Sequence, residues 1–303
     1  PRVLRDVDSR LPSEDAPLTA EGSTCGTLIC LSHLRWDFVY QRPQHLMSRF
    51  ARDFHVVFWE EPLDASDGHA SVRIVRQPCG VTVTTPMLPS GLEGEERERT
   101  LRQLLNETLR GRPAPMVRWF YTPMMLPIAQ HLSAACTVYD CMDELSAFRF
   151  AAPELPRLER ELFALADVVF TGGYSLYEAK QLQHDNVHPF PSSVDVPHFA
   201  QARTMQPPGG DMPTIGFYGV IDERFDIALL DAVARMRPNI RFEVVGPVAK
   251  IAPETLPRHA NVVYSPAQTY DALPRCLGRW HAAMMPFALN ESTRFISPTK
   301  TPE

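Results

Sequence analysis

The sequence predicts an α/β protein of two Rossmann-like domains, each a parallel sheet covered by helices. Three observations predict it. Short apolar runs alternate with amphipathic helical segments along almost the whole chain, and parallel strands need such crossovers. A Pro/Gly-rich stretch, Gln201 to Pro213, interrupts that rhythm, which then restarts. The length of 303 residues with 44% hydrophobic content supplies two cores. The organisation read from this is a charged, aperiodic and mobile lead over 1–25, a first domain over 26–205, a linker over 206–213 and a second domain over 214–303. That second domain is short for a doubly wound sheet, so the chain is expected to be truncated, with a start at Pro1 that also looks cut.

Each element has its own signal. Thr27 to Ser32 is an apolar run ended by polar residues, hence a buried strand. Pro43 to Ala51 places Leu46, Met47 and Phe50 at helical spacing behind an early proline. His55 to Trp59 is the next strand, followed by Val72 to Val75 and Val81 to Thr85. A charged helix is predicted from about Glu95 to Arg110, a strand over Val117 to Tyr121, a helix near Met124 to Leu132 and a strand over Val138 to Cys141. Leu158, Leu162 and Leu165 share one face of a helix over Leu155 to Ala166; strand Val168 to Thr171 follows directly. Gly172 and Gly173 then turn the chain into a helix over Ser175 to Gln183. Beyond the linker come strand Thr214 to Tyr218, helix Asp226 to Met236, strands Arg241 to Val245 and Asn261 to Tyr264, helix Tyr270 to Leu277 and strand His281 to Pro286.

Composition narrows the function. With 30 basic and 36 acidic residues the net charge is −6, which argues against nucleic acid as a partner. No apolar run reaches the roughly 18–20 residues of a membrane span, so a soluble, cytoplasmic protein is expected. The six cysteines show no CxxC pair and no zinc spacing, and read as buried thiols.

Ligands of open α/β sheets collect at the carboxyl ends of strands, so the loops there carry the chemistry. The loop His33 to His45 holds three aromatics, two His and two Arg. It reads either as a rim that stacks on a polar ligand, with His33, Arg35, Trp36 and Arg42 facing it, or as aromatics packing a long loop. Tyr139 to Phe150 sets three carboxylates in six residues at a strand end, where a helix N-terminus or solvent would also accommodate them. Gly172-Gly173 permits close backbone approach or simply a tight turn. Gly219 after strand Thr214 to Tyr218 opens a loop with Arg224, a phosphate-cradling arrangement that is not a dinucleotide fingerprint. The run Asn290 to Glu303 is rich in hydroxyls and carries Arg294, Lys300 and two Glu, which suits a sugar and a diphosphate.

These pieces together resemble a glycosyltransferase of the two-domain GT-B type, in the broad group of retaining family 4 enzymes that includes many bacterial polysaccharide and glycolipid transferases. The resemblance runs from about Leu28 to the last residue through LSHLRWDFVYQRPQHL, YDCMDELSAF, ALADVVFTGGYSLYEAK with PFPSSVD, IGFYGVIDERFD, VVGP and PFALNESTRFISPTKTPE. It implies a nucleotide-sugar donor on the second domain, with Arg224 and Lys300 near the diphosphate, Gly219 beside it, Gly246 near the base and Glu303 on the ribose. It implies a carbohydrate or lipid-linked acceptor on the first domain, with peripheral association at the inner membrane face for a glycolipid. Phe295 falls where the family has a sugar-contacting Glu, so Glu291 is the expected substitute, and Asp140 takes the place of a family His. These two are the expected catalytic residues. Neither a separate cofactor nor a metal is expected, because nothing resembles the Asp-x-Asp site of a metal-dependent alternative fold and cations can stabilise the leaving diphosphate. The competing readings are a nucleotide-sugar epimerase of the same fold and a noncatalytic nucleotide-sugar-binding module.

Overall fold

A computed structural model describes residues 26–112, 115–148, 150–205, 212–290 and 293–303. The lead over 1–25, most of the linker and Glu291 lie outside the described residues. The strands form two sheets. The first contains β1 (Thr27–Leu31), β2 (His55–Trp59), β3 (Leu63–Asp64), β4 (Ser71–Arg76), β5 (Thr82–Leu88), β6 (Pro115–Phe120), β7 (Cys136–Cys141), β8 (Val168–Thr171) and β9 (Val187–Pro189). Their order is β3-β5-β2-β1-β6-β7-β8-β9, with β4 attached to β5. All pairings are parallel except β4 with β5. The short connection through Gly80, at φ +92°, leaves no room for a crossover, so these two form a hairpin.

Helices α1 (Arg42–Phe50), α2 (Gly94–Leu109), α3 (Leu126–Ala129), α4 (Leu155–Leu165) and α5 (Tyr174–Lys180) cover this sheet. In β1 the side chains alternate between two cores. Ile29 and Leu31 join Leu105, Leu126 and Leu162 on one face. Leu28 and Cys30 join Met47 and Phe58 on the other. Burial on both faces is why such strands read as continuous apolar runs rather than as an alternation.

The second sheet has the order β12-β11-β10-β13, all parallel, from β10 (Thr214–Tyr218), β11 (Arg241–Val245), β12 (Val262–Ser265) and β13 (Ala282–Ala283). It carries α7 (Ile227–Met236) and α8 (Leu273–Leu277). Asp226 caps α7 by accepting from the Leu229 N–H at 2.8 Å. The short helix α6 (Val196–Ala200) precedes the Pro/Gly stretch, yet its Phe199 packs with Tyr218, Val245 and Trp280 of the second unit.

Several expectations shift. The strand over His281 to Pro286 contracts to two paired residues, and the Tyr270 helix begins as a 3-10 turn. Among the described cysteines, Cys30, Cys141 and Cys276 are buried, but Cys79 is exposed because it sits in the β4–β5 turn.

Strand order fixes where a site can form. β1 lies between β2 and β6, and β10 lies between β11 and β13, so the chain leaves β1 and β10 at the points where strand order reverses. Loops diverge there and open a crevice.

Candidate functional site

The loop after β1 is built inward. The Trp36 N–H donates to Glu60 Oε1 at 2.7 Å, and Arg35 Nη1 to Glu60 Oε2 at 3.2 Å. Gln44 Nε2 donates to the carbonyls of Trp36 and Val39 at 2.8 and 2.9 Å. The Trp36 ring is 8% exposed and packs edge-on against Phe58, so it offers no open face to a sugar. Trp36 and Arg35 frame the loop, which corrects the expectation that they line an acceptor rim. Glu60, absent from the sequence reading, is the residue that organises them.

Asp140 is also corrected. It is 0% exposed, and Arg42 Nε donates to its Oδ2 at 2.8 Å. Arg42 Nη1 donates to the carbonyl of Phe190 beyond β9. Burial raises the Asp140 pKa, while Arg42 pulls it down. A carboxylate enclosed in this way ties the end of β7 to the start of α1 and, through Arg42, to the chain beyond β9, and it is closed to a substrate.

The second unit gathers its predicted residues. Gly219 and Gly246 follow β10 and β11 with φ of +142° and +146°, and a side chain on Gly246 would lie 1.9 Å from the Gly219 carbonyl oxygen. Only glycine fits either position. A Cβ on Gly219 would also come within 2.6 Å of Lys300 Cε, so this lysine lies directly on the β10 end, with Nζ 5.7 Å from the centre of the Tyr218 ring. Burial lowers the Lys300 pKa, against the attraction of Glu303. The Tyr218 hydroxyl donates to the Glu303 carboxylate. Arg224 is held by Asp222, with Nε and Nη2 donating to the two carboxylate oxygens at 2.9 and 2.6 Å.

The two units meet around these residues. Phe148 lies beneath both Arg224 and Lys250, whose charged groups are 5.7 and 4.9 Å from its ring centre. Lys250 has φ of 61°, a left-handed backbone that a non-glycine residue adopts at a cost. Asp143, three residues past Asp140, faces the same cations: burial raises its pKa to about 6, Arg224 and Lys250 oppose this and Asp222 adds to it. His33, at the β1 end, is pushed down to about 4, first by burial and then by Lys250. Ser297 fills the space that a side chain on Gly173 would need, 2.8 Å away, and Phe295 packs against the core of the first unit. The two glycines after β8 thus serve close approach: Gly172 lies against the Met142 carbonyl and Gly173 against Ser297. At the other end of the crevice, Tyr40, Arg42, Phe190, Ser192, Thr299 and Glu303 line a recess.

His33, Arg224, Lys300, Gly219, Gly246 and Glu303 therefore converge on the crevice, whereas Arg35, Trp36 and Asp140 turn into the first unit. Phe148 and Lys250 were not singled out from the sequence, whereas Asp143 stood out there as one of the three carboxylates at the β7 end. Among the described residues, no three His, Cys, Asp or Glu side chains come together to hold a metal ion.

Two parallel sheets facing each other through loops at their strand-order reversals define a known architecture. The chain has the GT-B fold. It is similar to a sucrose-phosphate synthase from Thermosynechococcus elongatus at 13% identity, with a TM-score of 0.61 over 87% of this chain and 77% of that one. It is also similar to the catalytic domain of starch synthase IV from Arabidopsis thaliana, bound to ADP and acarbose, at 10% identity and a TM-score of 0.57, covering 89% and 79%. A third is an α,α-trehalose-phosphate synthase (UDP-forming) from Burkholderia xenovorans in complex with glucose-6-phosphate, at 11% identity and a TM-score of 0.54, covering 85% and 78%. No protein-family model and no curated protein matches the chain.

Proposed function

We propose that this chain is a glycosyltransferase that moves a sugar from a nucleotide-sugar donor to a carbohydrate or lipid-linked carbohydrate acceptor. The observation that carries the reading is the gathering of Arg224, Lys250 and Lys300 around the Gly219–Gly246 pair, at the strand-order reversal of the second sheet and opposite the first unit. Breaking the bond between the sugar C1 and the diphosphate oxygen leaves an electron pair, and negative charge, on that oxygen. Fixed cations in a crevice shielded from water stabilise that charge. Glycines let the diphosphate approach the backbone, whose N–H groups add to the cations. The acceptor hydroxyl forms the new bond to C1 and passes its proton to the departing diphosphate oxygen.

Each cation of the crevice has a carboxylate companion. Arg224 has Asp222, Lys250 reaches Glu223 at 3.8 Å, and Glu303 attracts Lys300. A diphosphate replaces these companions as the main counter-charge. Retention of the anomeric configuration and use of the cations in place of a metal ion belong to the reading, on the strength of the resemblance and of this cation set. A lipid-linked acceptor would bring the chain to a membrane surface; no described helix is long and apolar enough to cross one.

Arg224→Ala and Lys300→Ala are each expected to weaken nucleoside diphosphate binding by roughly 1.5–3 kcal/mol, about 10- to 150-fold, and nucleoside binding far less. Isothermal titration with UDP, ADP and GDP and with the corresponding nucleosides measures both, and equal losses would reject the diphosphate assignment. Diphosphate release from nucleotide sugars, followed with and without acceptor carbohydrates, tests transfer itself. An altered sugar without net transfer would indicate an epimerase. Binding without release would indicate a noncatalytic module.

A further inference from the structure

The loop between β7 and α4 presents a carboxylate that no reading above uses. Its backbone is tightly held on both sides of Asp143. The Met142 carbonyl presses on Gly172, where a Cβ would be 2.2 Å away. Glu144 is bound by the buried Lys180 at 2.8 Å. Phe148, at the far end of the loop, is clasped by Arg224 and Lys250 of the other unit. Between these anchors the Asp143 side chain has neither a hydrogen bond nor an ion pair among the described residues, although it is mostly shielded from solvent. Its backbone carbonyl is occupied by the Leu145 N–H at 3.1 Å. A shielded carboxylate with no hydrogen-bond donor carries a desolvation cost, which a ligand that donates to it offsets.

Arg224 turns its Nε–Nη2 edge to Asp222 and makes no hydrogen bond to Asp143. A bound diphosphate would sit on Arg224 and Lys300, and the group it carries would lie between those cations and the wall that holds Asp143. Sugar hydroxyls are neutral donors, and a carboxylate accepts two of them without a charge penalty. On this basis, which rests on the function proposed above, we propose that Asp143 contacts the donor, accepting hydrogen bonds from hydroxyls of the sugar that is transferred. Asp140, the strand-end carboxylate, is excluded by its enclosure, whereas Asp143 lies beyond the strand end and at the crevice.

The experiment compares affinities for UDP-glucose, ADP-glucose and GDP-glucose with those for UDP, ADP and GDP, using the full chain and Asp143→Asn. Asn keeps the shape but loses the charge and half of the accepting capacity. The expected result is at least a tenfold loss in the affinity of the preferred nucleotide glucose. Free nucleoside diphosphate should bind equally well or a few-fold tighter, because a negative charge facing Arg224 and Lys250 is gone. The sugar-dependent part of the wild-type affinity should also fall on acidification through about pH 6, and this dependence should vanish in the variant. An unchanged ratio between sugar-linked and free diphosphate overturns the proposal, as does a parallel loss of both, which would mark a structural role. Asp143→Ser guards against a folding defect in Asn, and thermal melts verify both variants. Should the wild type bind none of the diphosphates, the donor-site reading itself fails, an outcome separate from an unchanged ratio.

Discussion

His33 and Asp143 titrate in opposite senses, which gives a test independent of any substrate. His33 takes up a proton near pH 4 in the folded chain against an ordinary value of 6.5. Between those values the unfolded chain holds more protons, so this group makes stability fall as pH drops from 6.5 toward 4. Asp143 keeps its proton up to about 6 against an ordinary 3.8, so its contribution is present at low pH and is lost as pH rises from 3.8 through 6. The two partly cancel in the wild type. His33→Gln should therefore lose less stability than wild type between pH 6.5 and 4.5, by on the order of 2 kcal/mol. Urea unfolding at several pH values checks this. A slope identical to wild type would mean that His33 protonates freely in the folded chain.

At the scale of elements, the structure uses buried ion groups as rivets. Lys180 closes α5 and reaches Glu159 on α4 at 2.7 Å and Glu144 on the β7–α4 loop at 2.8 Å. The Tyr139 hydroxyl of β7 donates to Glu159 at 2.9 Å. Four segments are thereby fixed to one another behind the loop that presents Asp143. Removing the cation leaves two enclosed carboxylates without their counter-charge, so Lys180→Met should cost about 3–5 kcal/mol. Glu159→Gln in the same background should restore part of the loss. Denaturant midpoints of the single and double variants measure both effects, and a loss under about 1 kcal/mol would show that water reaches this triad.

Across the whole molecule, the units are joined by aromatic contacts as well as by the charged crevice. Tyr270 of the second unit stacks on His198 at 4.3 Å and lies 4.4 Å from Tyr40 of the first. The His198 ring nitrogen is also 3.0 Å from the Tyr270 carbonyl. Aromatic pairs contribute about 0.5–1.5 kcal/mol each beyond their buried area. Tyr270→Ala should cost roughly 2–3 kcal/mol and uncouple the units. Calorimetry should then resolve two unfolding transitions where the wild type shows one. A single transition at an unchanged temperature would mean that the charged crevice alone couples them.

Local order was legible because its cause is local. β8, β10 and β11 have the bounds read from their sequences, since each holds the short β-branched and aromatic run that a strand of a covered sheet requires. The missed pieces are short: β3, β9 and α6 span two to five residues, too few for a period to show. The glycines after β10 and β11 were also legible, because close backbone approach admits no other residue. What only the tertiary structure decided is which polar side chains face the crevice. Asp140 and Asp143 belong to the same acidic cluster in the sequence. Asp140 is enclosed because Arg42, 98 residues earlier in the chain, reaches it, whereas Asp143 lies past the strand end with no such partner. Trp36 looks like a stacking platform until Glu60, 24 residues on, draws its backbone inward. A side chain's charge is written in the sequence, but its counter-charge and its exposure are set by residues that only folding brings within a few ångströms.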